Sequence, residues 1–263
     1  MDLSLNYDSF KKAWNLLSYF KFPEDSEKKG ELSEEIPEDV IAYFPLVGAF
    51  IGFLAYCGAW LLERIMGVKP FAAILSAVLI ALALEILTLG KDLAVLMNFL
   101  KALAKKADND EMLMMIEEKE GSAACGISDL VLLFSLFLVK IICIGILIYT
   151  GNSLWLVVMM SLAYLIQGLV AGAPASIVES SILPANSDVM RNAWIITFIV
   201  CLVAGIAFIP AVILAFIISW LFYDRFMKYW AKKFRIITGK TVGLVGILLE
   251  YILLVLGTIL LAK

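Results

Sequence analysis

The continuous apolar run from Trp194 to Tyr223 restricts this chain more than any other stretch. Its 30 residues would extend about 45 Å as a single helix. A bilayer offers roughly 30 Å of hydrocarbon, crossed by about 20 apolar residues. The run is therefore one long span, or two short ones that turn near Gly205–Pro210. Further apolar segments lie at Ile41–Leu62, Phe71–Leu89, Asp129–Ile148, Leu154–Ala173 and Val242–Leu261. The chain is 62% hydrophobic and 17% charged, with a mean hydropathy of +0.95. Soluble domains sit near 45–50% apolar and about 25% charged, so a buried core alone does not account for the excess. The fold class predicted is all-α: a polytopic integral membrane protein of about seven helical segments, or six if residues 194–223 form one helix.

Charge placement decides between one span and two. The segment Asp224–Lys240 carries Arg225, Lys228, Lys232, Lys233, Arg235 and Lys240, and the polar stretch Lys91–Gly126 carries five lysines. Positive charge favours the cytoplasmic side. A hairpin puts both stretches there, with nearly uncharged turns at 150–153 and around 208 outside. The hairpin is the reading preferred. It predicts a multi-pass cell-membrane protein with its N-terminus cytoplasmic and its C-terminus outside. Residues 8–22 suit an interfacial amphipathic helix, with Trp14 and Tyr19 at headgroup level and Pro23 as its stop. The acidic stretch 24–39 reads as a solvated linker. The expected organisation is an N-terminal region, 1–40, and a single transmembrane domain, 41–263, with a polar cytoplasmic loop at 91–126. Gly48 and Gly52, four apart, would allow close helix contact in the first span.

Several function classes fall away. A net charge of −3 gives no basic footprint for nucleic acid. Histidine is absent, which removes imidazole ligation and imidazole acid–base catalysis. Cys57, Cys125, Cys143 and Cys201 are widely spaced and form no CxxC pair, so they read as small hydrophobes. The N-terminus, MDLSLNYDSF, lacks the pattern of a cleavable signal peptide.

Chemistry would gather in the polar interval Lys91–Gly126. It holds Asp92, Asp108, Asp110, Glu111, Glu117, Glu118 and Glu120. Residues 93–103 are apolar but too short to span, so a helix lying on or against the bundle is expected. Residues 110–120 are a second helix candidate, with Leu113 and Ile116 on one face. Clustered carboxylates repel unless a cation is present, although a solvated helix surface would look the same. Lys140 and Glu250 fall near mid-membrane, where a lone charge is costly. They either pair with each other or line a polar path. Glu85 sits near the end of its span, reaching headgroups or facing the loop.

The residues resemble one family, cobalamin synthase (adenosylcobinamide-GDP ribazoletransferase). The resemblance covers most of the chain. LLSYFKFP at 16–23 and Ala42-Tyr43-Phe44-Pro45-Leu46-Val47-Gly48 look like the family's N-terminal segment and first-span entrance. Leu87-Thr88 opens a segment resembling its Gly-His-Leu-Asp-Gly-Leu-Ala-Asp box. Ile116–Gly126 takes the place of its Met-Lys-Asp-Ser-Arg-x-Gly-Thr-Phe-Gly element. Lys140 fits the lysine of the following span, and Thr238-Gly239, Gly243 and Glu250 resemble its C-terminal motif and downstream glutamate. The departures fall on charged positions. Asp92 stands where the family has His, and Ala94, Asn98 and Lys101 stand where it has three aspartates. Lys119 takes an aspartate position, Gly121 an arginine position, and Lys240 replaces the C-terminal aspartate.

The resemblance implies a transferase of the last steps of cobalamin assembly. It would join α-ribazole or its 5′-phosphate to adenosylcobinamide-GDP, release GMP, and use Mg²⁺. Asp92, Asp108, Asp110 and Glu111 are then the candidate catalytic residues and metal ligands, with Glu117, Glu118 and Glu120 as further ligands. Lys91, Lys119 and Lys240 are candidates for phosphate contact. The substitutions remove most of the carboxylate oxygens that would hold Mg²⁺, though lysine can neutralise phosphate as a point charge. A catalytically silent or repurposed homologue, binding a corrinoid, a nucleotide or a partner protein, is therefore the alternative. A small-solute transporter would need a polar path joining Lys140 to Glu250. Homo-oligomerisation stays open.

Overall fold

The structure is a computed structural model. It describes residues 7–18, 20–21, 39–67, 70–88, 90–117, 126–173, 186–234 and 236–262. Tyr19, Pro23, most of the acidic stretch 24–39 and Cys125 lie outside these. Among the described residues, six helices are long and apolar enough to cross a membrane, and a shorter apolar helix joins them. Helix α1 (Tyr7–Leu17) is amphipathic, and a 3-10 turn (Val40–Tyr43) leads into α2 (Phe44–Met66). Helices α3 (Pro70–Thr88), α4 (Lys91–Lys105), α5 (Asn109–Glu117), α6 (Ile127–Tyr149) and α7 (Trp155–Ala171) follow. Helices α8 (Ser187–Ala204), α9 (Ile209–Lys233) and α10 (Gly239–Leu261) complete the bundle. The protein is thus an all-α polytopic membrane protein, as its hydropathy pattern predicts.

The long apolar run is a hairpin. Helix α8 ends at Ala204, a 3-10 turn covers Ile206–Phe208, and Pro210 opens the first turn of α9. A Cβ on Gly205 would lie 2.3 Å from Val212 Cγ2 and 2.6 Å from the Cys201 carbonyl oxygen, so only glycine fits this reversal. Both helices extend further than the apolar run. Asn186 caps α8 by accepting from the Val189 N–H at 2.9 Å, which recruits residues 187–193 from the expected loop. Helix α9 continues to Lys233 because Phe226, Met227 and Trp230 give its last turns a buried face. Helix α1, in turn, stops at Leu17, short of Pro23.

Helix α7 is the axis of the bundle. All of its residues are buried, and α2, α8, α9 and α10 pack around it. At 17 residues it reaches only about 25 Å, so its enclosure by protein replaces contact with lipid. The paired glycines of α2 make the closest approach. Gly48 faces the backbone of Met160, and Gly52 that of Leu156 and Val157. On the opposite flank, Gly257 of α10 leaves room for the Trp155 indole, whose Nε1–H donates to the Leu253 carbonyl at 2.9 Å. The lipid-facing sides of α3, α6, α8 and α9 carry exposed large apolar residues, among them Ile74, Phe134, Val203 and Ile213.

Helices α4 and α5 are the two short helices expected within 91–126. Leu93, Val95, Leu96 and Ala102 bury one side of α4, and Met112 and Ile116 bury one side of α5. Lys101 ties α4 to the start of α6 through Asp129 at 2.6 Å. The Thr238 hydroxyl, which caps α10, donates to Glu117 at the end of α5.

Candidate functional site

Four helices carry a charged side chain to one point inside the bundle. Lys140 of α6, only 2% exposed, donates from Nζ to Glu85 Oε1 of α3 at 2.8 Å. It also forms an ion pair with Glu250 Oε1 of α10 at 2.7 Å, in an alignment that is not a hydrogen bond. Asp92, in the first turn of α4, completes the group. These residues line a cavity of about 20 Å³ together with Thr88, Tyr164, Gln167 and Gly246. That space suits about one water molecule.

The backbone is shaped to admit these groups. A Cβ on Gly246 would lie 1.6 Å from Gln167 Nε2, and one on Gly243 would lie 2.4 Å from Asp92 Oδ1. Glycine at both positions lets the Gln167 amide and the Asp92 carboxyl press against α10. Gln167 is 5% exposed and its Oε1 has no hydrogen-bond partner among the described residues. Asp92 keeps a partly exposed edge, but its carboxyl is enclosed by protein. Burial pushes that carboxyl up to about 7. The negative charges of Glu250 and Glu85 add to the effect, and the ammonium groups of Lys140 and Lys91 oppose it.

The sequence-derived candidates separate into groups. Asp92 lies in the cluster. Asp108, Asp110 and Glu111 lie on or beside α5 with exposed side chains and do not line the cavity. Asp108 serves the helix itself, because its Oδ1 accepts from the Glu111 N–H at 2.8 Å and caps α5. Glu117 accepts from Thr238. Lys91 is exposed in the first turn of α4, and Lys240 is half-buried in the first turn of α10. Glu118, Lys119 and Glu120 fall outside the described residues. Of the two alternatives for Lys140 and Glu250, the structure has the pair, with Glu85 added to it. Sequence reasoning does not single out Tyr164 and Gln167. The available signal is a tyrosine and a glutamine three apart in an otherwise apolar span.

A bound Mg²⁺ is not a fit for the described residues. Among them, no group of three or more acidic or thiol side chains is disposed to hold a metal ion. In the cavity an ammonium already stands between two of the three carboxylates.

The architecture defines a polytopic α-helical membrane protein with a carboxylate–amine cluster buried inside the bundle, at mid-helix in α6 and α10. Residues 9–258 match the family model of cobalamin-5-phosphate synthase, and the chain belongs to that family, whose members are membrane transferases of cobalamin biosynthesis. No curated protein and no solved structure matches it.

Proposed function

We propose that this chain works at the ribazole-transfer step of cobalamin assembly. In that reaction α-ribazole, or its 5′-phosphate, attacks the diphosphate of adenosylcobinamide-GDP, and GMP leaves. The observation that carries the reading is the contact of Asp92 with Gly243, which places the N-terminal turns of α4 and α10 side by side above the cluster. Helix N-termini present unpaired N–H groups and a positive dipole end, which suits phosphate. Lys91 and Lys240 belong to these same first turns. An ammonium neutralises phosphate charge without a metal. Asp92, in the first turn of α4 with its carboxyl pushed up to about 7, is in the range where a carboxyl exchanges protons near neutral pH.

A second reading is a homologue that has lost the reaction and keeps a corrinoid- or nucleotide-binding role. It draws on Ala94, Asn98, Lys101 and Lys240, which supply no carboxylate where the family resemblance expects aspartates.

The deciding experiment follows GMP release from adenosylcobinamide-GDP by the purified full chain in detergent or liposomes. It uses both forms of α-ribazole, with and without Mg²⁺. Turnover that falls at least roughly 100-fold in Asp92→Asn and Lys91→Ala, and not in an Asp108/Asp110 double alanine variant, is expected. A folded protein that yields no GMP with either substrate overturns the first reading and leaves the second.

A further inference from the structure

We infer that the Lys140 ammonium is the resident cation of the buried cluster, and that with it in place the cluster takes no divalent ion. The buried acids of this chain are organised by an amine of its own, not by a metal. The inference rests on the cluster's geometry and stands whether or not the transferase reading holds.

Three observations carry it. The first is distance. Glu85 and Glu250 each direct an oxygen at the same nitrogen, at 2.8 and 2.7 Å. These are charge-assisted ammonium–carboxylate spacings. Magnesium holds oxygens at about 2.0–2.1 Å and demands near-octahedral surroundings. The second is space. The cavity beside the ammonium measures about 20 Å³, which admits roughly one water and not a cation with the several waters that magnesium keeps. A divalent ion there would stand within a few ångströms of a buried ammonium and be repelled by it. The third is the donor supply of α4. Beyond Asp92, α4 has no acidic residue, its other polar positions being lysines and Asn98, and Lys101 is committed to Asp129 at 2.6 Å. None offers a carboxylate to complete a shell.

The same geometry says what lies beneath the amine. With Lys140 removed, the two glutamate oxygens would face a common space, with Asp92 and Gln167, whose Oε1 has no partner among the described residues, lining the same cavity. Oxygen donors of this kind are what Mn²⁺ and Mg²⁺ prefer. Removing the repulsion between an ammonium and a doubly charged ion about 4 Å away, at an effective dielectric of about 20, is worth well over roughly 100-fold in affinity.

The test is an Mn²⁺ titration of the purified full chain in detergent, read by paramagnetic resonance and by Mn²⁺-dependent thermal shift. The wild type is expected to show no Mn²⁺ at the cluster. Lys140→Ala is expected to gain a site at least roughly 100-fold tighter than any in the wild type, and to lose it when Glu85→Gln is added. Wild-type Mn²⁺ binding that Glu85→Gln or Glu250→Gln weakens tenfold or more would overturn the inference. Wild-type binding untouched by both would place that ion elsewhere and leave the cluster closed, as inferred. A folded Lys140→Ala variant that gains no site would overturn the claim that the amine fills an ion's place. If that variant does not fold, the wild-type titration with the two glutamine variants still decides.

Discussion

Replacing Gly52 by alanine adds one methyl group where α2 meets the backbone of α7 directly. The new Cβ would lie 2.6 Å from the Leu156 carbonyl oxygen and 2.7 Å from Val157 Cα. Both are backbone atoms of the enclosed helix α7, so no side chain can swing aside. To reach an ordinary contact of 3.4 Å, α2 must retreat by about 0.8 Å. A gap of about 0.5–1 Å forfeits a quarter to a half of each atom pair's attraction, itself ~0.1–0.2 kcal/mol. Over some 50 atom pairs along the interface that amounts to about 2 kcal/mol, and overpacking strain brings the total to about 2–4 kcal/mol. Hydrocarbon does not drive helices together, so van der Waals packing has no substitute here. Gly58 on the same helix is the control, because a Cβ there meets nothing within 4 Å. Gly58→Ala should be neutral, or stabilising by up to about 1 kcal/mol through helix propensity. The assay is reversible unfolding in mixed micelles, followed by tryptophan fluorescence. Equal stability of Gly52→Ala and Gly58→Ala would refute the close-approach argument.

Three further outcomes are expected. The Asp92 carboxyl binds a proton in the folded state up to about pH 7, whereas the unfolded chain releases it near pH 4. The unfolded state therefore binds fewer protons between these values, and stability falls as pH rises from about 4 to about 7, by at most about 4 kcal/mol. Chemical denaturation across that range should show this slope in the wild type and a flatter one in Asp92→Asn; equal slopes would refute it. Trp155→Phe removes the bond to the Leu253 carbonyl and should cost about 1 kcal/mol in the same unfolding assay, the net worth of one hydrogen bond, because that carbonyl keeps its place in the α10 ladder. Asp108→Ala uncaps α5 and should cost about 1 kcal/mol locally, visible as faster amide exchange across residues 109–117, with α10 unchanged.

Much of the fold was legible because lipid imposes it. Every spanning segment must bond its own backbone, so apolar length marked the spanning segments, and charge placement chose the hairpin near Gly205 for the longest of them. The Gly48–Gly52 pair was legible too, since its spacing puts both on one helix face. The site was legible only in part. Lys140 and Glu250 stood out because charges in hydrocarbon are expensive. That Glu85 and Asp92 join them could not be read off, since the four residues come from four helices and no spacing relates them. The acids of 108–111 drew attention by density alone. Their helix buries Met112 and Ile116 and leaves the carboxylates outward.

The enclosure of α7 bears on how the chain is made. Synthesis delivers α7 before three of the helices that wrap it. Until α10 follows, the indole N–H of Trp155 has no carbonyl of Leu253 to meet, and Gln167 has no cleft beside Gly246. A half-made chain therefore holds its central helix short of the contacts that fix these two side chains, although the helix itself bonds its own backbone. For this protein α10 is the part whose arrival lets the middle of the chain settle.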